Sequence, residues 1–290
     1  MPIDEELRQQ LLVYQKNEVT EHHIYTRLAG TIDSPENQRV LKEIADDEMR
    51  HYHQWKKYTQ EDVDPDRIKV WFYVLVGRIL GFTFGVKLME RGEEDAQENY
   101  GQLTEEIAEA EAIVQDENDH EEELLTLLNE ERLQYAGSIV LGLNDALVEL
   151  TGALAGLTLA FQDTELIALS GSVTGIAAAL SMGASEYLST KSEETEKHPV
   201  KASLYTGTAY MITVVILILP YLLLDDYYVC LALTLLGAVS IVALFNYYIS
   251  VAKDEPFKER FFEMAGLSLS VAALSFGVGF VIRRFLGVDV

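Results

Sequence analysis

The sequence is nearly without cysteine: Cys230 stands alone in 290 residues. That excludes an internal disulfide framework and any multi-cysteine zinc or iron–sulfur centre. Basic residues are scarce as well, 22 Lys and Arg against 47 Asp and Glu, for a net charge of −25. So acidic a chain lacks the surface that phosphate binding needs, and nucleic acid is not an expected partner. The opening Met1-Pro2-Ile3-Asp4-Glu5-Glu6 is polar and acidic, unlike a signal peptide. Strand-like alternation is missing from the first half.

Apolar residues nevertheless make up 49% of the chain, so charge and hydrophobicity occupy different stretches. Residues 1–136 hold 32 acidic and 14 basic residues, and residues 137–290 hold 15 and 8. A chain of this length is too long for one small core. The expectation is two all-α parts, a bundle over 1–136 and a membrane domain over 137–290.

Five segments of the second part, near 138–161, 166–189, 203–224, 227–250 and 262–286, are long and apolar enough to cross a bilayer, which takes roughly 20 residues as a helix. Lys191, Lys197 and Lys201 lie in the second break, and Lys253, Lys258 and Arg260 in the fourth; the first and third carry no Lys or Arg. The positive-inside rule then puts the N-terminal domain in the cytoplasm and the C-terminus outside, although Arg283 and Arg284 oppose it. Gly152/Gly156 and Gly171/Gly175 repeat at a spacing that suits close helix packing. Asp145 and Glu149 share a face of the first span, and Met182 and Glu186 share one of the second. A carboxylate in hydrocarbon is costly and normally faces a partner, an ion or water. Carboxylates with a thioether suit a divalent transition metal; the alternative for Glu149 and Glu186 is a solvated place near the interface.

The first part reads as four helices: from about Asp4 to Leu28, from Ser34-Pro35 onward, from about Asp66 to Tyr100, and from near Thr104. Helix two carries Glu48-Met49-Arg50-His51 and helix four Glu117-Asn118-Asp119-His120, each a Glu-x-x-His with both side chains on one face. Glu18 precedes Tyr25 by seven residues, as Glu93 precedes Tyr100. A Glu from each of two helices plus Glu-x-x-His from the other two is the ligand set of a di-iron carboxylate bundle. Glu18, Glu48, His51, Glu93, Glu117 and His120 are therefore the expected ligands of two iron or manganese ions. Glu90 and Glu94 compete with Glu93, and Glu21 is a further candidate one turn from Glu18. Val70–Met89 is almost wholly apolar, but it contains Arg78 and Lys87, and no apolar stretch follows to return the chain. It reads as a bundle helix whose extra apolar face packs on a second subunit, the membrane surface, or both.

On these residues the first part resembles the rubrerythrin-like branch of the ferritin-like superfamily. The second resembles the vacuolar iron transporter family through Asn144-Asp145-Ala146-Leu147 and Ser181-Met182-Gly183-Ala184-Ser185-Glu186-Tyr187-Leu188-Ser189. Together the two are similar to the membrane-bound ferritins of prokaryotes. The resemblance implies a homodimeric five-span carrier in the cell membrane that moves Fe²⁺ or Mn²⁺ out of the cytoplasm in exchange for protons, with Asp145 and Met182 lining the path. Here Ala146 replaces the glycine usual after Asn-Asp, and the connection between spans two and three is only about Lys191–Lys201 long. The ferritin-like domain then supplies metal capture, sensing or oxidation between Fe²⁺ and Fe³⁺. The rubredoxin module of rubrerythrins needs four cysteines, so an electron-fed peroxidase is disfavoured. The alternative function is a membrane-anchored ferroxidase or peroxide-scavenging di-iron oxidoreductase. Five spans with internal carboxylates exceed what an anchor requires.

Overall fold

In the computed structural model the described residues are 5–92, 107, 110–126, 134–193 and 197–286. They form ten helices and, among the described residues, no strand. Two compact units divide the chain, Met1–Glu130 and Glu131–Val290.

The first unit is built on α1 (Glu5–Ala29) and α2 (Pro35–Thr59), whose short connection makes them antiparallel neighbours. Ser34 caps α2 by accepting from the Asn37 amide, and Pro35 takes the first turn, where no amide hydrogen is needed. Asp66 caps α3 (Arg67–Leu80) by accepting from the amides of Ile68 and Lys69 at 3.0 and 3.1 Å. α4 (Phe82–Arg91) and α5 (Ala110–Thr126) complete the described helices of this unit. Leu28, Leu41, Ile44, Val74 and Met89 fill one core cluster. Leu11, Tyr14, Trp55 and Ile113 fill another. Trp55 is wholly buried, and truncating such a side chain to alanine costs about 3–5 kcal/mol.

The third helix departs from expectation. Instead of running from Asp66 to Tyr100 it breaks at Gly81, whose φ of 107° lies in the left-handed region that side chains avoid. α4 then packs against α3 so closely that a Cβ on Gly85 would lie 2.7 Å from the Gly77 Cα. Neither piece can span a bilayer: 14 residues of α3 make about 21 Å of helix against a core of about 30 Å. Residues 93–100, with Glu93, Glu94 and Tyr100, and the expected start of the fourth helix near Thr104 lie outside the described residues.

The second unit consists of α6 (Ala136–Phe161), α7 (Thr164–Ser192), α8 (Pro199–Leu223), α9 (Tyr227–Lys253) and α10 (Phe257–Leu286). All five are long and apolar enough to cross a membrane, and the chain is an integral membrane protein. The polar breaks read from the sequence serve as caps: Asp163 accepts from the Leu166 amide, and Asp226 from those of Tyr228 and Val229. α6 is the central helix, packed by α7, α8, α9 and α10. Small residues bring the backbones together. The Thr206 hydroxyl donates to the Ser138 carbonyl at 2.9 Å, and a Cβ on Gly142 would sit 2.3 Å from the Thr206 carbonyl oxygen. Gly156 faces α10 at Ser275, while Gly171 and Gly175 face Leu154 and Val214, so both glycine pairs serve packing.

This packing sets a contrast between two glycines. Gly142→Ala is expected to lower stability by about 1–3 kcal/mol, since backbone must move to admit the methyl. Gly266→Ala, which meets nothing within 4 Å, is expected to change it by no more than ~0.5 kcal/mol. Thermal unfolding of the purified protein in detergent measures both.

Candidate metal centre and membrane carboxylates

Two helices of the first unit carry the same five-residue pattern: Asp47-Glu48-Met49-Arg50-His51 on α2 and Asp116-Glu117-Asn118-Asp119-His120 on α5. Each helix presents its Glu and His to the interior, and α1 adds Glu18. Ligand atoms from Glu18, Glu48, His51 and Glu117 all lie within 4.8 Å of one another. His51 Nδ1 is 3.3 Å from Glu117 Oε1 and 3.7 Å from both Glu18 Oε2 and Glu48 Oε2. The other oxygen of Glu48, Oε1, lies 3.3 Å from His120 Nδ1. Glu48 thus stands between two imidazoles whose centroids are 6.0 Å apart.

The aspartate that precedes each Glu holds the opposite helix's histidine. His51 Nε2 meets Asp116 Oδ2 at 3.1 Å, and His120 Nε2 meets Asp47 Oδ2 at 3.2 Å. A carboxylate can only accept, so both rings carry hydrogen on Nε2 and turn Nδ1 towards the carboxylates. Arg50 donates to both aspartates, at 2.5 Å to Asp47 and 2.8 Å to Asp116. Trp55 Nε1 donates to Glu18 Oε1 at 2.9 Å. Sequence reasoning missed this outer layer, although the repeated Asp-Glu-x-x-His was present to be read.

Glu48 is 1% exposed and His51 0%. Glu48 Oε2, His51 Nδ1 and His120 Nδ1 are buried with no hydrogen-bond partner among the described residues. Lone pairs therefore converge on lone pairs, and leaving such groups uncompensated costs several kcal/mol. Burial pushes the Glu48 carboxyl well above its usual range, and the Glu117 charge pushes it further. Burial alone would lower the His51 imidazole, but the surrounding carboxylates of Glu117, Glu18 and Glu48 hold it far above its ordinary value. Burial raises Glu18 too, yet its contacts with His51, Glu48 and Trp55 win and keep it low. Protons or cations must fill the centre. Mixed carboxylate and imidazole donors in the cluster of Glu18, Glu48, His51 and Glu117 fit a transition-metal ion.

Of the other expected ligands, Glu90 receives a hydrogen bond from the Tyr25 hydroxyl. Tyr25 is raised first by burial and then by the charges of Glu90, Glu48 and Glu21, so Glu90 approaches the same acidic interior from α4. Glu21 is buried on α1. Glu93 and Glu94 lie outside the described residues.

In the membrane unit Glu149 accepts from the Tyr210 hydroxyl at 3.2 Å, and Glu186 from the Ser138 hydroxyl at 2.6 Å. Met182 packs on the core that contains Leu147 and Val214. Gly137, Leu141 and Glu149 are exposed and Asp145 is half-buried, so the four form a stripe on α6 that the unit's other helices leave open. Among the described residues the membrane carboxylates form no three-membered cluster like that of the first unit. A cavity of about 340 Å³ is lined by Asn144 and Val148 of α6 and by Arg260, Glu263 and Met264 of α10, and not by Asp145, Glu149 or Glu186. Its α10 residues follow helical spacing but went unread, because Glu263 lies next to the charged break at Lys258–Arg260.

Residues 136–197, which cover α6 and α7, match the VIT family. No curated protein matches the chain.

Two outcomes are expected. Asp47→Ala and Asp116→Ala should each weaken metal binding by roughly 10–100-fold while leaving the fold intact, because each removes the acceptor that orients one imidazole. Metal titration of the purified protein measures this. Binding should also release protons and tighten as pH rises, since the buried Glu48 carboxyl and His51 imidazole both titrate above their ordinary ranges and an incoming cation displaces the protons that the centre holds. Calorimetry in buffers of different protonation enthalpy gives the number released.

Proposed function

We propose that the protein is a transition-metal efflux carrier of the prokaryotic cell membrane. Residues 1–136 serve as a cytoplasmic ferritin-like bundle that gathers Fe²⁺, with Mn²⁺ accepted, and residues 137–290 as the carrier. The observation that supports transport is the position of the acids on α6. Asp145 and Glu149 lie within a helix long enough to cross a bilayer, on a stripe open to the outside of their own unit, and α6 falls within the VIT match. Facing lipid, such carboxylates would be prohibitively placed; facing a second copy across a homodimer seam, they line a path for a dication. Met182 supplies a soft donor to that path, and Glu186 a further carboxylate. Asp145, Glu149 and Glu186 are the groups able to exchange a metal ion for a proton.

In the bundle Glu18, His51, Glu48 and Glu117 would hold one metal ion, and His120 with Glu48 and an acid from the α4 side would hold the second. A bound pair supplies iron capture and, where oxygen reaches it, iron oxidation. The protein's residues set the rest. Asp116 and Asp47 fix the imidazoles, Arg50 ties the two aspartates together, and Trp55 leaves Glu18 Oε2 directed inward.

Transport and capture should separate by mutation. With Fe²⁺, Mn²⁺ and Zn²⁺ compared side by side in proteoliposomes containing a pH dye, Asp145→Asn should abolish flux and leave bundle binding intact. The amide keeps the shape of the side chain but loses the charge that compensates a dication in a low-dielectric setting. Glu48→Ala should empty the bundle and keep residual flux at high metal concentration. Flux undiminished in Asp145→Asn would favour the membrane-anchored oxidoreductase instead. Orientation is checked separately. In a Cys230→Ser background, a cysteine placed after Val290 should label from outside intact cells, and one in the bundle should not.

A further inference from the structure

α3 differs in charge from the other described helices of the first unit. Its fourteen residues, Arg-Ile-Lys-Val-Trp-Phe-Tyr-Val-Leu-Val-Gly-Arg-Ile-Leu, contain three basic residues and no acid, in a chain with a net charge of −25. Val70, Val74 and Gly77 make the buried face that packs on α1 and α4. The opposite face is also apolar: Ile68 is 79% exposed, Trp71 62%, Phe72 45% and Leu75 37%. At 100° per residue these four fall within about a third of the helix circumference. Arg67 and Arg78 border the stripe on one side and Lys69 on the other, all exposed.

We propose that this face of α3 lies in the headgroup layer of the membrane that the same chain spans, on the side where the first unit sits. A bulky apolar stripe containing Trp and Phe, with Arg and Lys at its borders, is the composition of a helix that rests in an interface. The length agrees, since α3 is too short to cross and Gly81 turns the chain back. Charge selects lipid over the same face of a second copy: the three basic residues complement anionic headgroups, whereas across a two-fold seam they would meet one another. Proximity completes the case, because five membrane helices on the same chain keep a bilayer within reach at all times. The inference rests on the chain being an integral membrane protein and not on what it transports.

The two tryptophans make the test direct, because Trp55 is fully buried while Trp71 is on the exposed stripe. Full-length protein is reconstituted in phosphatidylcholine–phosphatidylglycerol vesicles whose acyl chains are brominated near the headgroup, and in ordinary vesicles of the same composition. Bromine should quench roughly half of the emission, the share of one tryptophan at the interface. Trp71→Phe should remove the quenchable share, and Arg67→Glu with Arg78→Glu should reduce it. Equal emission in brominated and ordinary vesicles would overturn the proposal, as would quenching unchanged by Trp71→Phe. A disulfide between copies carrying Ile68→Cys in the Cys230→Ser background, formed in high yield, would assign the face to a second subunit and also overturn it. Neither readout depends on metal or flux, so failure here leaves the transport reading standing, and the reverse holds.

Discussion

A carboxylate buried on all sides, with an imidazole nitrogen turned towards each of its oxygens, is the constraint around which the first unit is organised. Glu48 occupies that position. Hydrogen bonding within the unit cannot resolve it, because the outer aspartates have already used the one hydrogen each neutral ring can carry. What remains inside is acceptor against acceptor, which a proton or a bound cation relieves. The surrounding architecture follows from this need. α2 and α5 exchange aspartate–histidine contacts, Arg50 ties both aspartates, and Trp55 closes the α1 side through Glu18.

The membrane unit meets a related constraint in another solvent. Helix packing there is achieved with small residues, as where Gly142 admits the Thr206 backbone and Gly279 lies against the Gly156 carbonyl. Such contacts surround α6 on most sides and leave one stripe open, and that stripe bears Asp145 and Glu149. Tyr210 and Ser138 give single hydrogen bonds to Glu149 and Glu186, enough to orient a carboxylate while most of its oxygen lone pairs stay available to a cation. One unit concentrates its acids in a closed centre; the other spreads them over α6 and α7.

How much of this was legible depended on the kind of signal. The two Glu-x-x-His pairs were readable because a spacing of three fixes two side chains on one helix face, whatever the surroundings. The aspartate beside each Glu stands at i−1, off that face; its partner is on another helix, so only tertiary structure reveals the pairing. The five spans were readable from length and apolarity, and their polar breaks reappear as the capping residues Asp163 and Asp226. Which face of α6 stays open was not, since lipid-facing and core-facing positions are equally apolar in such helices. The break at Gly81 was hidden because the apolar run continues across it. A lone glycine inside a helical pattern is tolerated, and only the packing of Gly77 against Gly85 decides that the chain turns there.

The account stands or falls on the occupancy of the centre around Glu48. Anomalous diffraction from crystals of the full-length protein grown with Fe²⁺ or Mn²⁺, recorded on both sides of each metal edge, addresses it most directly. The account predicts two peaks in each first unit, one beside His51 and one beside His120, with Glu48 between them, and loss of both in Glu48→Ala. A single weak peak, or two peaks that survive Glu48→Ala, would contradict it.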